Sequence, residues 1–340
     1  MTRMHKENES FVRPEGVEED AVVTIFRVPA EMAGSRLDVF LTNELRRTSR
    51  TRAQYIIRHS AYGPDGKRLR TNDRVKAEQR ILLWRPAWDE TPVERVMPVV
   101  YEDDHLLVIS KPAGVPVHPT ARYHRNTVIR ILLDARPGEF LTLAHRIDRE
   151  TSGVLVLSKS PAVDRVIKAI FQDRGDIEKT YTAIVWGEPA QDEFRVDLPL
   201  ELDPTSSTSV RMRVAAPGEG LASGTRFSVE GKRRRGDKVY TRLRCDLETG
   251  RQHQIRMHLV ASGLPIVGDK LYAFDEDHFK RDVDGLATDE DRARLELPRH
   301  ALHASRLALP HPVTGERLVI EAPLPEDMQA FWDGLDEPPR

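Results

Sequence analysis

The sequence has little cysteine, no long apolar run and no excess of charge of either sign. Cys245 is the only cysteine among 340 residues, which excludes an internal disulfide and a cysteine pair that holds zinc. We expect Cys245 to be buried as a small apolar residue. No stretch approaches the apolar length of a transmembrane helix, and the N-terminus lacks the apolar segment of a signal peptide. These absences predict a cytoplasmic protein with no membrane association.

The near-neutral net charge excludes only one mode of binding. Lys and Arg total 52 and Asp and Glu total 54, which gives a net charge of −2. This balance excludes a uniformly basic, histone-like protein. It leaves room for a basic surface in one part of the chain, because a polyanion responds to the local potential.

Composition and periodicity divide the chain into segments. Residues 1–21 are polar and acid-rich and are predicted to be a flexible tail; residues 326–340 are predicted to be a C-terminal tail. The length favours two domains, predicted here as residues 22–88 and 99–325, joined by a proline-punctuated linker at 89–98. Within the second domain, residues 273–298 carry nine acids and four bases and are predicted to be an acidic surface insertion.

The first domain combines helical patterns with clustered positive charge. Apolar residues at 37, 40, 41 and 45 predict one helix, and Ser49 is predicted to cap a second. Residues 35–95 hold fourteen bases and eight acids, a net charge of +6. Such charge is either a solvated helix face or a phosphate-binding surface, and clustering at two turns favours the second interpretation. The clustered residues are Arg46, Arg47, Arg50, Arg52, Lys67 and Arg68.

The second domain alternates apolar strands with helices. Residues 106–109 and 154–157 are continuous apolar runs, typical of strands buried on both faces. A helix is predicted over 160–175, capped by Ser160, and strands over 180–186 and 238–247. The pattern predicts a mixed α+β core.

Two loops of this domain contain candidate reactive groups. Residues 145–153 (HRIDRETSG) place Asp148 between Arg146 and Arg149, which favours an ionised carboxylate able to act as nucleophile or base. On the residues alone, a structural aspartate that caps the turn is the slightly better interpretation. Residues 111–119 (KPAGVPVHP) form a loop that could present Lys111 and His118, which alone is weak support for a site.

A third segment, residues 250–259 (GRQHQIRMHL), is predicted to be helical, with Thr249 as its cap. Arg251 and Arg256 would enter a polar pocket or contact phosphate. Histidines 253 and 258 are five residues apart and lie on different helix faces, and the pair at 300 and 303 has no carboxylate or cysteine to complete a site. The sequence therefore predicts neither a metal site nor a cofactor.

These segments resemble, in this order, the RluA-type family of pseudouridine synthases. The resemblance rests on residues 111–114, 145–153, 179–181, 250–256 and 263–269, and it covers about residues 99–324. It departs from the usual pattern only at Ile147, where Leu is commoner, and at Gln252, where Thr is commoner. In the first domain, residues 35–38 (SRLD), 49–52 (SRTR) and 66–67 (GK) resemble the alpha-L RNA-binding domain, first seen in a small-subunit ribosomal protein.

The family resemblance implies a fold, a reaction and a set of site residues. The fold is an α+β core with a mixed, mainly antiparallel sheet, preceded by the alpha-L domain. The reaction isomerises a uridine in RNA to pseudouridine after the base is flipped out, without a cofactor. Asp148 matches the essential aspartate, as nucleophile at C1′ or base at C2′; Arg256 matches its partner. Tyr181 and Ile255 match the residues on either side of the base, and Arg146 the one inserted where the base leaves. The other expected substrate-binding residues are His145, Arg149, Thr151, Gln254 and Arg251.

Several alternatives remain at this point. The expected partner is RNA, with ribosomal RNA favoured over transfer RNA, and the chain is expected to be a monomer. Residues 232–235 (KRRR) and Lys238 form a basic loop that either follows the RNA or is simply solvated. The rival functions are a non-catalytic RNA-binding or ribosome-assembly factor with the same fold, and a glycosylase that cleaves without rejoining the base.

Overall fold

The computed structural model describes residues 11–18, 21–45, 50–85, 90–119, 123, 125–173, 176–206, 208, 210–283 and 286–337. The chain divides into two compact units, Met1–Asp89 and Glu90–Arg340, which we call the N-terminal unit and the C-terminal unit. Within the described ranges, every helix is too short or too polar to cross a lipid bilayer.

The N-terminal unit packs two helices on a three-stranded antiparallel sheet. Its elements are β1 (Val22–Arg27), a 3-10 helix (Ala30–Met32), α1 (Leu37–Glu44), α2 (Arg50–Ser60), β2 (Ala61–Tyr62) and β3 (Arg80–Arg85), with strand order β1–β3–β2. Both predicted helices are present. Helix α1 buries Leu37, Phe40 and Leu41 against Ala53 and Ile57 of α2. The predicted cap of α2, Ser49, lies outside the described residues.

A buried carboxylate ties the two helices together. Asp38 is fully buried and accepts hydrogen bonds from Arg36 Nε at 3.0 Å, Arg50 Nε at 3.1 Å and Gln54 Nε2 at 2.8 Å. The hydrogen bond from Arg36, supported by those from Gln54 and Arg50, holds the pKa of Asp38 well below its usual range. Arg50, which the sequence assigns to RNA binding, therefore also holds α1 against α2.

Part of the predicted flexible tail packs on this unit. Phe11 meets Trp84 edge-on, with ring centroids 5.7 Å apart, and Val12 N donates to Pro64 O at 3.0 Å. The prediction of a flexible tail is therefore wrong for residues 11–18. A few apolar side chains in this polar, acidic segment pack against the N-terminal unit, and the surrounding charged residues obscured them in the sequence pattern.

The C-terminal unit is built on a ten-stranded mixed sheet. The elements of this unit are β4 (Val99–Glu102), β5 (Leu106–Lys111), α3 (Val128–Ala135), β6 (Thr142–Leu143), β7 (Ser152–Ser158), α4 (Pro161–Asp173), β8 (Glu178–Trp186), β9 (Glu193–Asp197), β10 (Leu200–Leu202), β11 (Met212–Val214), β12 (Gly224–Arg235), β13 (Lys238–Leu247), α5 (Gln254–Ala261), α6 (Glu276–Val283), α7 (Asp289–Leu295), β14 (Leu302–Pro310), β15 (Arg317–Glu321) and α8 (Glu326–Asp333). The main path of the sheet runs β4–β5–β7–β14–β8–β13–β12–β9, with β15 added to β14 and β6 to β7, and β10–β11 form a separate pair. Among the described strand pairs, β7–β14 is parallel and the others are antiparallel, as the family resemblance implies.

Strands β5 and β7 are buried on both faces, as their continuous apolar runs predict. Leu107 and Leu155 face a cluster that includes α3, whereas Val108 and Val156 face a second cluster that includes α4. The loop of residues 144–151 that leads into β7 therefore emerges from the part of the sheet with packed core on both sides.

The prediction of a C-terminal tail at residues 326–340 is wrong for its first part, which forms helix α8. Met328, Phe331 and Trp332 of α8 are buried in the main core cluster, and Phe331 packs edge-on against Tyr240. The sequence missed this because acids and prolines surround only three large apolar residues. Residues 338–340 lie outside the described ranges.

The acidic segment at residues 273–298 is only partly a surface insertion. It forms α6 and α7, but its end is core: Leu295 and Leu297 are buried. The carboxylate of Glu296 accepts hydrogen bonds from Trp186 Nε1 at 2.9 Å and Tyr240 Oη at 2.7 Å. The many acids of this segment obscured, in the sequence pattern, the apolar residues that complete the core.

The predicted basic loop at residues 232–235 is the end of the β12–β13 hairpin, and four of the five bases at 232–235 and 238 have acidic partners. Lys232 contacts Glu188 Oε1 at 2.9 Å, and Arg235 contacts Glu296 Oε2 at 3.3 Å. Lys238 contacts Glu296 Oε1 at 2.8 Å. These pairs favour the interpretation of a solvated loop, because most of its positive charge is compensated within the protein.

Gly153 allows β7 to approach its parallel partner. Its φ is +110°, and an added Cβ would lie 2.2 Å from Ala304 O in β14.

We expect Gly153→Ala to lower the free energy of unfolding by about 3 kcal/mol or more, from backbone strain and overpacking together. Urea denaturation measures this loss. The matched control is Gly218→Ala, with φ of +85° and no atom within 4 Å of the added Cβ, for which we expect about 1 kcal/mol; equal losses would contradict the close approach.

Candidate active site

A buried lysine holds the loop that carries Asp148 in place. Lys111 Nζ donates to Pro112 O at 2.7 Å, Val115 O at 2.9 Å and Arg149 O at 2.9 Å. These contacts use all three ammonium protons. Lys111 is fully buried, which corrects the expectation that its loop presents it, whereas His118 of the same loop is exposed.

Asp148 contacts a buried arginine from a distant part of the chain. Arg256 Nη1 on α5 lies 3.1 Å from Asp148 Oδ2. The other edge of the same guanidinium binds Asp269 in a fork, with Nε–Oδ2 and Nη2–Oδ1 distances of 2.7 Å. Asp269 is fully buried and also accepts from Leu271 N at 3.0 Å and Tyr272 N at 3.1 Å. The fork fixes the guanidinium and leaves Nη1 for Asp148.

The electrostatics keep Asp148 ionised. Burial raises its pKa, but the charges of Arg256 and Arg146, and of His253 when its ring is protonated, outweigh burial, so that the pKa lies below its ordinary value of 3.8. Burial also opposes the charge on Arg256, yet Asp269 and Asp148 raise the pKa of the guanidinium further above its ordinary value. Burial lowers the pKa of His253 to about 4, so that its ring is neutral at neutral pH. Arg256 is therefore the cation that holds Asp148 charged.

A cavity of about 370 Å³ opens beside Asp148. Tyr181 of β8 and Ile255 of α5 line it, and Arg146 lies at the same cavity. Burial and the Asp148 charge raise the pKa of the Tyr181 phenol, which stays protonated. The structure thus brings Asp148, Arg256, Tyr181, Ile255 and Arg146 together around one space of small-ligand size.

The two arginines beside Asp148 in sequence differ in their contacts. Arg149 donates to Glu150 Oε1 at 3.1 Å and to Tyr123 Oη at 3.3 Å, and it does not line the cavity. Arg146 is exposed and makes no hydrogen bond or ion pair with any described residue. Arg146 is therefore able to contact a ligand, whereas Arg149 stabilises the loop.

The start of α5 differs from the prediction. Thr249 does not cap the helix; its Oγ1 donates to Gln254 Oε1 at 2.6 Å, and the helix begins at Gln254 after His253, whose φ is 53°. Gln254 Nε2 donates to Gly224 O at 2.8 Å. Gly250 and the residues that follow thus form an irregular turn which aims His253 at Asp148.

Other residues predicted to bind substrate line the cavity but have partners inside the protein. Thr151 Oγ1 lies 2.8 Å from His300 Nε2. His145 Nε2 accepts from Val156 N at 3.1 Å, and burial lowers its pKa to about 3. Arg251 Nε donates to Ala222 O at 3.2 Å. With Gln254, these residues hold the walls of the cavity in place.

The predicted RNA-binding residues belong to the N-terminal unit. Arg68 Nη2 donates to Tyr62 Oη at 2.6 Å, and Arg52 stacks on Tyr55 at 5.1 Å from the ring centroid. Lys67 lies 3.5 Å from Asp65 Oδ2. Arg46 and Arg47 lie outside the described residues, and Arg50 is bound to Asp38 as described above.

Sequence reasoning missed three residues behind Asp148. The sequence pattern suggests His253 only as a possible metal ligand, and it gives Asp269 and Tyr272 no role. One signal was available: Asp269 follows an apolar stretch (GLPIVG) in which a charged residue needs a partner. In the described part of the chain, no three His, Cys, Asp or Glu side chains are grouped as metal ligands.

Comparisons with known proteins agree on one family. The family described as "RNA pseudouridylate synthase" matches residues 105–261. "Ribosomal large subunit pseudouridine synthase D" of Nitrosomonas europaea is 32% identical, over 94% of this chain and 90% of that protein. "Ribosomal large subunit pseudouridine synthase C" of Escherichia coli K12 is 34% identical, over 90% of this chain and 95% of that protein.

Solved structures support the same fold. "Human RNA Pseudouridylate Synthase Domain Containing 4" is 25% identical with a TM-score of 0.53, covering 71% of this chain and 95% of that one. "Human RNA Pseudouridylate Synthase Domain Containing 1", at 21% identity and a TM-score of 0.55 over 73% of this chain and 100% of that one, shows the likeness of fold alone. The family match and the curated relatives establish that this chain belongs to the RluA-type family of pseudouridine synthases, enzymes that isomerise uridine in RNA.

Proposed function

We propose that this enzyme converts uridines of large-subunit ribosomal RNA to pseudouridine in the cytoplasm, with Asp148 as the essential residue. The observation that carries the proposal is the Asp148 carboxylate, held by Arg256 at 3.1 Å beside the cavity of about 370 Å³. Relatives from N. europaea and E. coli that span nearly the whole chain carry names that specify the large ribosomal subunit. Transfer RNA is the alternative substrate.

The reaction breaks the bond between uracil N1 and ribose C1′, turns the base and joins C5 to C1′. The product is an isomer of the substrate, so the reaction needs no oxidant and no second substrate. Asp148 acts either as nucleophile at C1′ or as base at C2′, and both roles require the ionised carboxylate that Arg256 maintains.

Tyr181 and Ile255 are suited to hold the base. Both line the cavity with Asp148, so that a uracil can lie against the aromatic ring and the aliphatic side chain. Because the pKa of Tyr181 is raised, its phenol is protonated and is a poor base. This favours stacking over removal of the C5 proton as the role of Tyr181.

The target uridine must leave its stack to reach Asp148, which costs a few kcal/mol. Arg146 is suited to occupy the space that the base vacates, because its guanidinium is planar, exposed and without a hydrogen bond to any described residue. In the N-terminal unit, positive charge clustered at two turns supports binding to the RNA backbone.

Membership of the enzyme family argues against the alternative of a non-catalytic RNA-binding or ribosome-assembly factor. That alternative predicts no need for Asp148, Tyr181 and Arg256 to surround one cavity, which they do. A glycosylase would use the same carboxylate but would release free uracil.

We expect Asp148→Asn to abolish pseudouridine formation while RNA binding persists, because the amide is neither a nucleophile nor a base. Tritium release from RNA that contains 5-tritiated uridine measures the reaction, since C5 loses its hydrogen. Asp289→Asn, at a fully exposed side chain on α7, is the matched control. Turnover by Asp148→Asn would refute the assignment, and free uracil from the wild type would indicate a glycosylase.

Mapping pseudouridines in cells that lack the enzyme distinguishes ribosomal from transfer RNA as the substrate.

We expect Arg146→Ala to reduce activity at least about tenfold more on structured RNA than on a short flexible strand, because only the structured substrate must be unstacked. Single-turnover rates on the two substrates measure the difference. Arg149→Ala is the control: this neighbouring arginine is bound to Glu150, and its loss should affect both substrates equally. An equal loss for Arg146→Ala would exclude base displacement.

We expect replacement of Arg46, Arg47 and Arg52 by Gln to weaken RNA binding and to flatten its dependence on salt. The slope of log K against log salt should become shallower by about 2 to 3 if each arginine contacts one phosphate. Filter binding at several salt concentrations measures the slope. Arg50→Gln separates the structural contribution: it should lower the stability of the N-terminal unit, because it removes a partner of Asp38. An unchanged slope for the triple variant would place the RNA elsewhere.

A further inference from the structure

His253 lies between Asp148 and Tyr272 and has one ring nitrogen directed at each. Nε2 is 3.7 Å from Asp148 Oδ2, and Nδ1 is 2.8 Å from Tyr272 Oη. The side chain of His253 is 10% exposed, and its backbone is left-handed, with φ of 53°. A histidine held in this uncommon conformation is fixed by its surroundings.

The contacts of Tyr272 determine which nitrogen of His253 carries the proton. Met212 N donates to Tyr272 Oη at 2.8 Å. Within the described ranges, Met212 N and His253 Nδ1 are the only hydrogen-bond partners of this buried hydroxyl. A backbone N–H cannot accept, so of these two partners only Nδ1 can accept the hydroxyl hydrogen, and a buried hydroxyl that did not donate would leave this hydrogen unpaired. His253 therefore carries its own hydrogen on Nε2, the nitrogen that faces Asp148.

The ring of His253 stays neutral beside this carboxylate. Burial and Arg256 lower its pKa, against the opposite effects of Asp148 and Asp269, and Arg146 also lowers it. From the other side, Arg256 and Arg211 pack over the Tyr272 ring at 4.9 and 5.5 Å from its centroid. The result is a neutral ring whose Nε2–H faces the carboxylate of Asp148.

We propose that His253 is a positioning residue for Asp148, which together with Arg256 holds Oδ2 and leaves Oδ1 to face the substrate. Arg256 Nη1 contacts the same Oδ2 at 3.1 Å, whereas no described residue makes a hydrogen bond to Oδ1. The present 3.7 Å separation exceeds a hydrogen bond, and a movement of about 1 Å or less on RNA binding closes it. The inference rests on the proposed role of Asp148.

Two substitutions of His253 separate positioning from a structural role. His253→Gln places an amide N–H near the position of Nε2 but loses the contact with Tyr272. His253→Asn keeps a polar atom near the position of Nδ1, and Asn is the side chain that best tolerates the left-handed backbone, but it cannot reach Asp148. A purely structural role therefore favours Asn, whereas positioning favours Gln.

We expect kcat to fall about tenfold to a hundredfold in His253→Asn, the effect of losing a hydrogen bond to a charged group, and by less than about fivefold in His253→Gln. The KM for RNA should remain unchanged in both variants. The acid limb of kcat should move to higher pH in His253→Asn alone, because loss of a donor to the charged form raises the pKa of a carboxyl. The proposal would be overturned if kcat of His253→Asn equalled or exceeded kcat of His253→Gln. It would also be overturned if the acid limb of kcat did not move in His253→Asn.

The tautomer is tested directly on the wild-type enzyme by NMR of ¹⁵N-labelled histidine. The His253 signals, assigned by their absence from either variant, should show a protonated Nε2 and an unprotonated Nδ1; Tyr272→Phe should change this pattern. A protonated Nδ1 would overturn the inference even if one variant fails to fold. Asp148→Asn tests the proposed function separately: if it is inactive and the wild type makes pseudouridine, normal kcat in both His253 variants would refute only the positioning role.

Discussion

The site depends on one buried guanidinium shared by two carboxylates. Asp269 is fully buried and takes two contacts from Arg256, whereas Asp148 takes one and borders the cavity. Such a group is stable only when its charge is paired, because an uncompensated buried ion costs several kcal/mol. Two acids and one base leave a surplus negative charge, and the geometry places it on Asp148. The same arrangement that makes burial of Arg256 tolerable therefore leaves an ionised carboxylate at the edge of the cavity.

Much of the fold is predictable where apolar periodicity is strong. The runs at 106–109 and 154–157, the stripe of α1 and the alternation in β13 each gave the observed element. Prediction failed where a few apolar residues lie among acids and prolines, as in α8 and at Leu295 and Leu297. Two interpretations of the end of β12 stay open from sequence alone, because ion pairs such as Lys232–Glu188 join residues that are distant in sequence.

Family motifs indicate which residues surround the cavity, whereas the contacts behind them depend on the tertiary structure. Family motifs pointed to Asp148, Tyr181, Ile255 and Arg256, which the structure brings around one cavity. Sequence adjacency alone places Arg146 and Arg149 beside Asp148, but Arg149 turns to Glu150. The contact comes from Arg256, 108 residues away, which the family resemblance pairs with Asp148. The tautomer of His253 depends on a backbone N–H of β11, for which no side-chain pattern exists.

Lys111 has a consequence for what happens when RNA arrives. Its ammonium ties the end of β5 to the carbonyl of Arg149, across 38 residues of sequence, immediately after the reactive carboxylate. The loop is thus ordered by folding rather than by the ligand. Binding then has to immobilise only the nucleotide, and the conformational entropy of the loop has already been lost. An active site prepared in this way is suited to a substrate whose own distortion consumes most of the available binding energy.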